Sequence, residues 1–96
     1  MPILRCKRVR FYSQGDERAF FDFAGNIKSI SKIKGVGEEI QLKVASRVSD
    51  TSLRDLVGLF QRYHIRMNQL RQFATSRNHH WFHDRRAFWF AKVFGK

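Results

Sequence analysis

One cysteine, one proline and eight acidic residues are all that this chain of 96 holds of those types. Each scarcity removes options. With Cys6 alone, neither an internal disulfide nor a cysteine-built metal cage can form, and a reducing, cytoplasmic setting is expected. Pro2 is the sole proline, so no later element is broken by a missing N–H. No stretch approaches the roughly 18–20 apolar residues of a membrane span, and the basic N-terminus lacks an apolar run long enough for a signal segment. No repeat, low-complexity tract or Pro/Gly/Ser linker marks a boundary. Residues 1–96 are therefore read as a single domain, with an α+β core over 1–74 and a helical extension over 75–96.

Catalytic patterning is equally sparse. There is no G-x-S-x-G elbow, no S-x-x-K and no cysteine in a catalytic-type motif. Cys6 lies among Arg5, Lys7 and Arg8, which would lower a thiol pKa at close range; a strand cysteine is more often simply packed. Asp16, Glu17 and Asp50 fall at helix starts, where negative charge suits the macrodipole. Gly35-Val36-Gly37 matches neither phosphate-loop pattern and precedes an extended segment, so it reads as a hairpin turn. No catalytic residue and no cofactor is assigned.

What is present is apolar bulk and positive charge. Hydrophobic residues make up 43% and ten side chains are Phe, enough to build a core despite the charge. Nineteen Lys and Arg give a formal charge of +11, a balance found in proteins that meet polyanions. The charge is spread along the chain: residues 1–48 hold ten basic and five acidic groups, residues 49–96 nine and three.

Periodicity divides the chain into elements. Leu4 to Tyr12 reads as a first strand, with Val9 and Phe11 on one face and Arg8, Arg10 and Tyr12 on the other. Ser13 and Asp16 resemble a capping box ahead of Phe20, Phe23, Ala24 and Ile27 at helical spacing, ending near Gly25-Asn26. Residues 28–34 and 38–46 form a hairpin, the second strand alternating Ile40, Leu42 and Val44 inward. Ser49 to Thr51 caps a helix carrying Leu53, Leu56, Val57 and Phe60 through Tyr63. Ile65 to Phe73 fits a fourth strand or a further helix. Thr75-Ser76 offers a cap for a turn over Asn78–His83, and Asp84 one for a last helix with Phe88, Trp89, Ala91, Val93 and Phe94. The order β-α-β-β-α-β predicts a ferredoxin-like split βαβ sandwich with a helical, aromatic-rich C-terminal extension.

That plan would make the first and third strands central neighbours. Lys7, Arg8, Arg10, Lys32, Lys34, Lys43 and Arg47 are the candidate polyanion contacts on its exposed face. An RNA-recognition motif is excluded, because residues 38–46 carry no aromatic and lack its consensus; base stacking has only Tyr12 to draw on. Keeping a Phe-rich chain in solution is the other use for the charge. Phe88, Trp89 and Phe90 are consecutive and cannot all face one core, so with Trp81 they form a candidate interface for a homodimer or a protein partner. His79 and His83 stand at i, i+4, a spacing that suits one metal ion, but no third ligand follows at a recognisable spacing, and no metal is assigned.

The segments Trp81-Phe82-His83-Asp84, Trp89 and Val93-Phe94-Gly95, with the upstream Ser52-Leu53-Arg54-Asp55-Leu56 and Phe60-x-x-Tyr63, resemble small bacterial proteins of unassigned function, best over residues 50–95. The resemblance implies a bacterial cytoplasmic setting and brings no catalytic residue with it. The sequence thus points to a non-enzymatic domain that contacts nucleic acid or another polyanion through a basic sheet face. The alternative is an interaction or regulatory module that self-associates through its C-terminal aromatics.

Overall fold

Alternation along Ile3-Leu4-Arg5-Cys6-Lys7 makes the first strand, β1 (Ile3–Lys7): Leu4 and Cys6 are fully buried while Ile3, Arg5 and Lys7 are exposed. In the computed structural model, which describes residues 1–95, this strand is followed by α1 (Gln14–Asn26), β2 (Ile30–Val36), β3 (Glu39–Val44) and α2 (Asp50–Arg62). A 3-10 helix (Met67–Phe73), α3 (His79–Phe82) and α4 (Phe90–Phe94) complete the chain. The fold is mixed α+β, built on a three-stranded antiparallel sheet in the order β1-β3-β2.

The expected fourth strand is absent among the described residues. Ile65 to Phe73 winds instead into the 3-10 helix, whose buried Met67, Leu70 and Phe73 recur every third residue, the period of that helix. β1 is consequently an edge strand and β3 alone is central.

The first strand also ends earlier than its alternation suggests. Up to Lys7 the even-numbered side chains point inward; beyond it Val9 and Phe11, odd-numbered, pack against the core. A regular strand cannot change parity, because successive side chains alternate faces. The change occurs at Arg8, which adopts φ 56°. Arg8 and Arg10 thus belong to a loop, not to the sheet.

Local chemistry accounts for the helices and the hairpin. Ser13 Oγ accepts the Asp16 N–H at 3.1 Å and Asp16 Oδ2 accepts the Tyr12 N–H at 3.0 Å, fastening the start of α1 from both sides. Ser49 caps α2 in the same way through the Ser52 N–H. Gly37, at φ 61°, occupies the first position of a two-residue hairpin turn between the register partners Val36 and Glu39, where a type II′ turn demands glycine.

Helix α2 buries Ser52, Leu53, Leu56, Val57, Leu59 and Phe60, a stripe broad enough to meet both α1 and the 3-10 helix. Helix α1 fully buries only Phe20 and Ala24, so its attachment depends on Phe20, whose truncation to Ala would cost about 3–5 kcal/mol. One apolar cluster joins Leu4, Cys6, Leu42 and Val44 of the sheet to both helices and, through Phe82 and Val93, to the C-terminal segment.

Hydrogen bonds lock the C-terminal third in place. Buried Asn78 donates to the Phe73 carbonyl at 2.8 Å and accepts the Thr75 N–H at 2.9 Å, while Thr75 Oγ1 accepts the Asn78 N–H at 3.3 Å. Asp84 does not cap a helix. Its carboxylate accepts the Arg86 N–H two residues on, and α4 begins only at Phe90. Arg71 donates to the carbonyls of Val93 and Gly95 at the C-terminal end of α4. At Gly95 a β-carbon would run into the Ala91 carbonyl. No helix among the described residues is long and apolar enough to cross a membrane.

Candidate functional site

The helices cover one face of the sheet and leave the other open. Antiparallel register places Ile3, Lys43 and Lys32 in one row across the strands, Arg5, Gln41 and Lys34 in the next, and Lys7, Glu39 and Val36 in the third. Five cations thus share this face with one acid. Glu39 accepts a hydrogen bond from Gln41 at 2.7 Å and pairs with Arg5 at 3.7 Å. Lys7, Lys32, Lys34 and Lys43 have no ion-pair partner among the described residues. Lys32 and Lys43 are direct register partners, an arrangement in which like charges repel.

Beyond β1 the basic surface turns into a groove. An open depression of about 540 Å³ is lined by Arg5, Lys7, His64, Arg66, Asn68 and Gln69, with no carboxylate. A second, of about 410 Å³, adjoins it through His64 and is lined by Arg10, Tyr12, Asp16, Arg62 and Tyr63. The first depression lies where a fourth strand would pair with β1: the 3-10 helix meets that edge through Gln69, leaving Arg66 and Asn68 on the rim.

His64 holds its place by an unusual backbone. At φ 57° it sits one residue beyond the α2 cap, Tyr63, where the Ile65 N–H bonds the Phe60 carbonyl at 2.9 Å and the His64 N–H bonds Gln61 at 3.4 Å. This is a Schellman ending, in which glycine usually takes the left-handed position. His64 and Arg8 are the two positive-φ residues other than glycine among those described; His64 lines both depressions, and Arg8 lies in the chain between the lining residues Lys7 and Arg10.

The sequence-derived candidates thus divide. Lys7, Lys32, Lys34 and Lys43 lie on the open face, and Lys7 also lines the groove. Arg10 reaches the groove from the loop rather than the face, and Arg8 stands between Lys7 and Arg10 in that loop. Arg47 lies apart, after β3, in a depression shared with Asp50, Gln72, Arg77 and Asn78. Arg5, Arg62, His64 and Arg66 were not anticipated as contacts. For Arg5 a signal existed, since the parity of Leu4 and Cys6 puts it on the face of Lys7; for the others it depended on the path taken after α2.

Cys6 is fully buried, and that burial, with the charge of Glu39 second, pushes its thiol up to about 12. Arg5 and Lys7 are exposed on the opposite face of the strand, and Arg8 lies beyond its end. The rings of His79 and His83 stack in parallel at 4.6 Å, and no group of three potential metal ligands occurs among the described residues. Of the aromatic interface candidates, Trp81 and Trp89 pack against the core, Trp81 beneath the Arg54 guanidinium at 4.1 Å and Trp89 donating to the Phe82 carbonyl. Phe90 is half-buried against His83, and Phe88 is exposed. The Asp84 carboxyl is held below its usual range, first by the Arg86 backbone N–H and then by the Arg86 side chain.

No protein-family model, curated protein or solved structure matches this chain.

Proposed function

We propose that this chain is a non-enzymatic domain that binds nucleic acid or another polyanion along its open sheet face and the groove beside β1. The observation that carries this reading is the continuity of Lys32, Lys34, Lys43, Arg5 and Lys7 across the sheet into the carboxylate-free depression that Arg66 and His64 complete. Directly opposed lysines and an αL histidine both cost stability, and a bound anion would offset the first of these costs. Solubility alone requires no such convergence. Self-association through Trp81, Phe88, Trp89 and Phe90 has less support, because Phe88 alone of the four is exposed.

We also read the sheet as a ferredoxin-like plan in which the 3-10 helix has replaced the last strand. The order β1-β3-β2 and the contact of Gln69 with the outer edge of β1 support this.

Fluorescence anisotropy with labelled single- and double-stranded oligonucleotides over a salt series tests the binding function. Affinity should be highest at low salt and fall linearly on a log–log plot as counterions compete. Absence of binding to either probe at low salt would sink the proposal.

A further inference from the structure

We infer that the groove beside β1 takes a single-stranded nucleic acid, its phosphates held by Arg5, Lys7 and Arg66 and one unstacked base lying on the ring of Tyr12. The inference rests on the polyanion reading and adds a ligand class and a contact to it.

Tyr12 is 83% exposed, the barest of the large apolar side chains described. Its exposure is not that of a loose loop. The Tyr12 N–H is bonded to Asp16 Oδ2 at 3.0 Å, and the next residue, Ser13, caps α1, so the ring stands on a backbone fixed at both ends of the turn. Asp16, the one acid in this depression, is committed to that bond. Arg10, Arg62 and His64 line the same depression as the ring, placing phosphate-seeking donors on the surface that carries this open aromatic face. Single-strand sites are built in this way, with cations tracking the backbone and an aromatic surface receiving a base.

The adjoining depression supplies the backbone contacts. Arg66 and Lys7 have no ion-pair partner among the described residues, and Arg5 is held only at 3.7 Å by Glu39. Asn68 adds a neutral polar group. His64 lines both depressions, so the phosphate and base positions are continuous. A duplex presents base edges and keeps its base faces stacked, leaving nothing for an isolated ring to receive. The open sheet face carries no aromatic, so one base stacks while the rest of the strand is read through charge.

The test compares three probes of equal length, about ten nucleotides: oligothymidylate, the same sugar-phosphate strand without bases, and a duplex. Wild type should bind oligothymidylate about tenfold more tightly than the abasic strand. Tyr12→Ala should abolish that ratio and leave abasic affinity unchanged, while Tyr12→Phe should retain it. Equal wild-type affinity for the base-bearing and abasic strands, or a preference for the duplex, would overturn the stacked single strand and leave polyanion binding standing. Failure to bind any of the three at low salt would overturn both.

Discussion

The side-chain amide of Gln69 accepts the Arg5 N–H at 2.6 Å and donates to the Arg5 carbonyl at 2.9 Å, as a neighbouring strand would. It donates to the Arg66 carbonyl as well, tying the 3-10 helix to the sheet. An edge strand with free N–H and C=O groups is a template for pairing with other chains, and one glutamine occupies the middle of this edge. Gln69→Ala should lower unfolding free energy by about 1–3 kcal/mol, by loss of the bonds and exposure of the edge. Urea unfolding measures the first effect, and concentration-dependent sedimentation the second. A variant as stable and as monodisperse as wild type would show that Gln69 does not protect this edge.

His64 occupies a backbone conformation that costs an L-residue about 1 kcal/mol, at a helix end where glycine is the usual occupant. His64→Gly should therefore raise stability by about 0.5–1 kcal/mol while weakening oligonucleotide affinity. Gains in both properties would remove His64 from the site.

The fold was legible in the sequence where pattern and packing agree. Leu53, Leu56, Val57 and Phe60 can share a face only in a helix, and Ile40, Leu42 and Val44 only in a strand. At Ile65 to Phe73 the two disagree: Ile65 and Met67 alternate, while Met67, Leu70 and Phe73 keep a period of three. Contacts distant in sequence, Gln69 with Arg5 above all, accompany the outcome. The basic surface proposed as a site was only partly legible. Lys43 followed from the inward alternation of Leu42 and Val44, but the left-handed residue at Arg8 reverses the parity of the first strand, turning Lys7 outward and taking Arg10 off the sheet. Arginine is not among the residues enriched at positive φ, so nothing in the local sequence marks Arg8 for that conformation.

Cys6 should resist a thiol reagent at pH 8 in the native state and react at once in denaturant, because it is fully buried. Its thiol pKa rises from 9.0 to about 12 on folding, so the folded state retains a proton that the unfolded state releases. The resulting stability is complete below about pH 9 and is lost as pH climbs through 9 toward 12, at up to about 1.4 kcal/mol per pH unit. Cys6→Ala should start less stable but lose less over that alkaline window, which unfolding curves at several pH values would reveal. Parallel pH profiles for the two proteins would contradict the assignment.

Asn78 closes the junction between the 3-10 helix and α3, and its Nδ2 is the buried donor to the Phe73 carbonyl. Asn78→Ala should cost about 2–3 kcal/mol by leaving that carbonyl and the Thr75 N–H without their partner. Asn78→Asp keeps an acceptor for Thr75 but loses the donor and buries a charge, so it should be at least as damaging. Thermal unfolding orders the three proteins, and an Asp variant more stable than the Ala variant would contradict this account of the junction.

A charge of +11 gives any variant that loses cations a weaker affinity for nucleic acid, so site and bulk charge must be separated at equal charge. Lys7→Ala with Arg66→Ala removes two cations from the groove; Arg77→Ala with Arg85→Ala removes two exposed ones that line neither depression. Each phosphate contact on a single strand contributes about 0.7 to the slope of log affinity against log salt, so the groove pair should flatten that slope by about 1.4. The outlying pair should leave the slope near its wild-type value and lower affinity less, since it adds no phosphate contact in the groove. If both pairs changed slope and affinity alike, binding would be spread over the whole cationic surface, and Arg5, Lys7, His64 and Arg66 would not constitute a site.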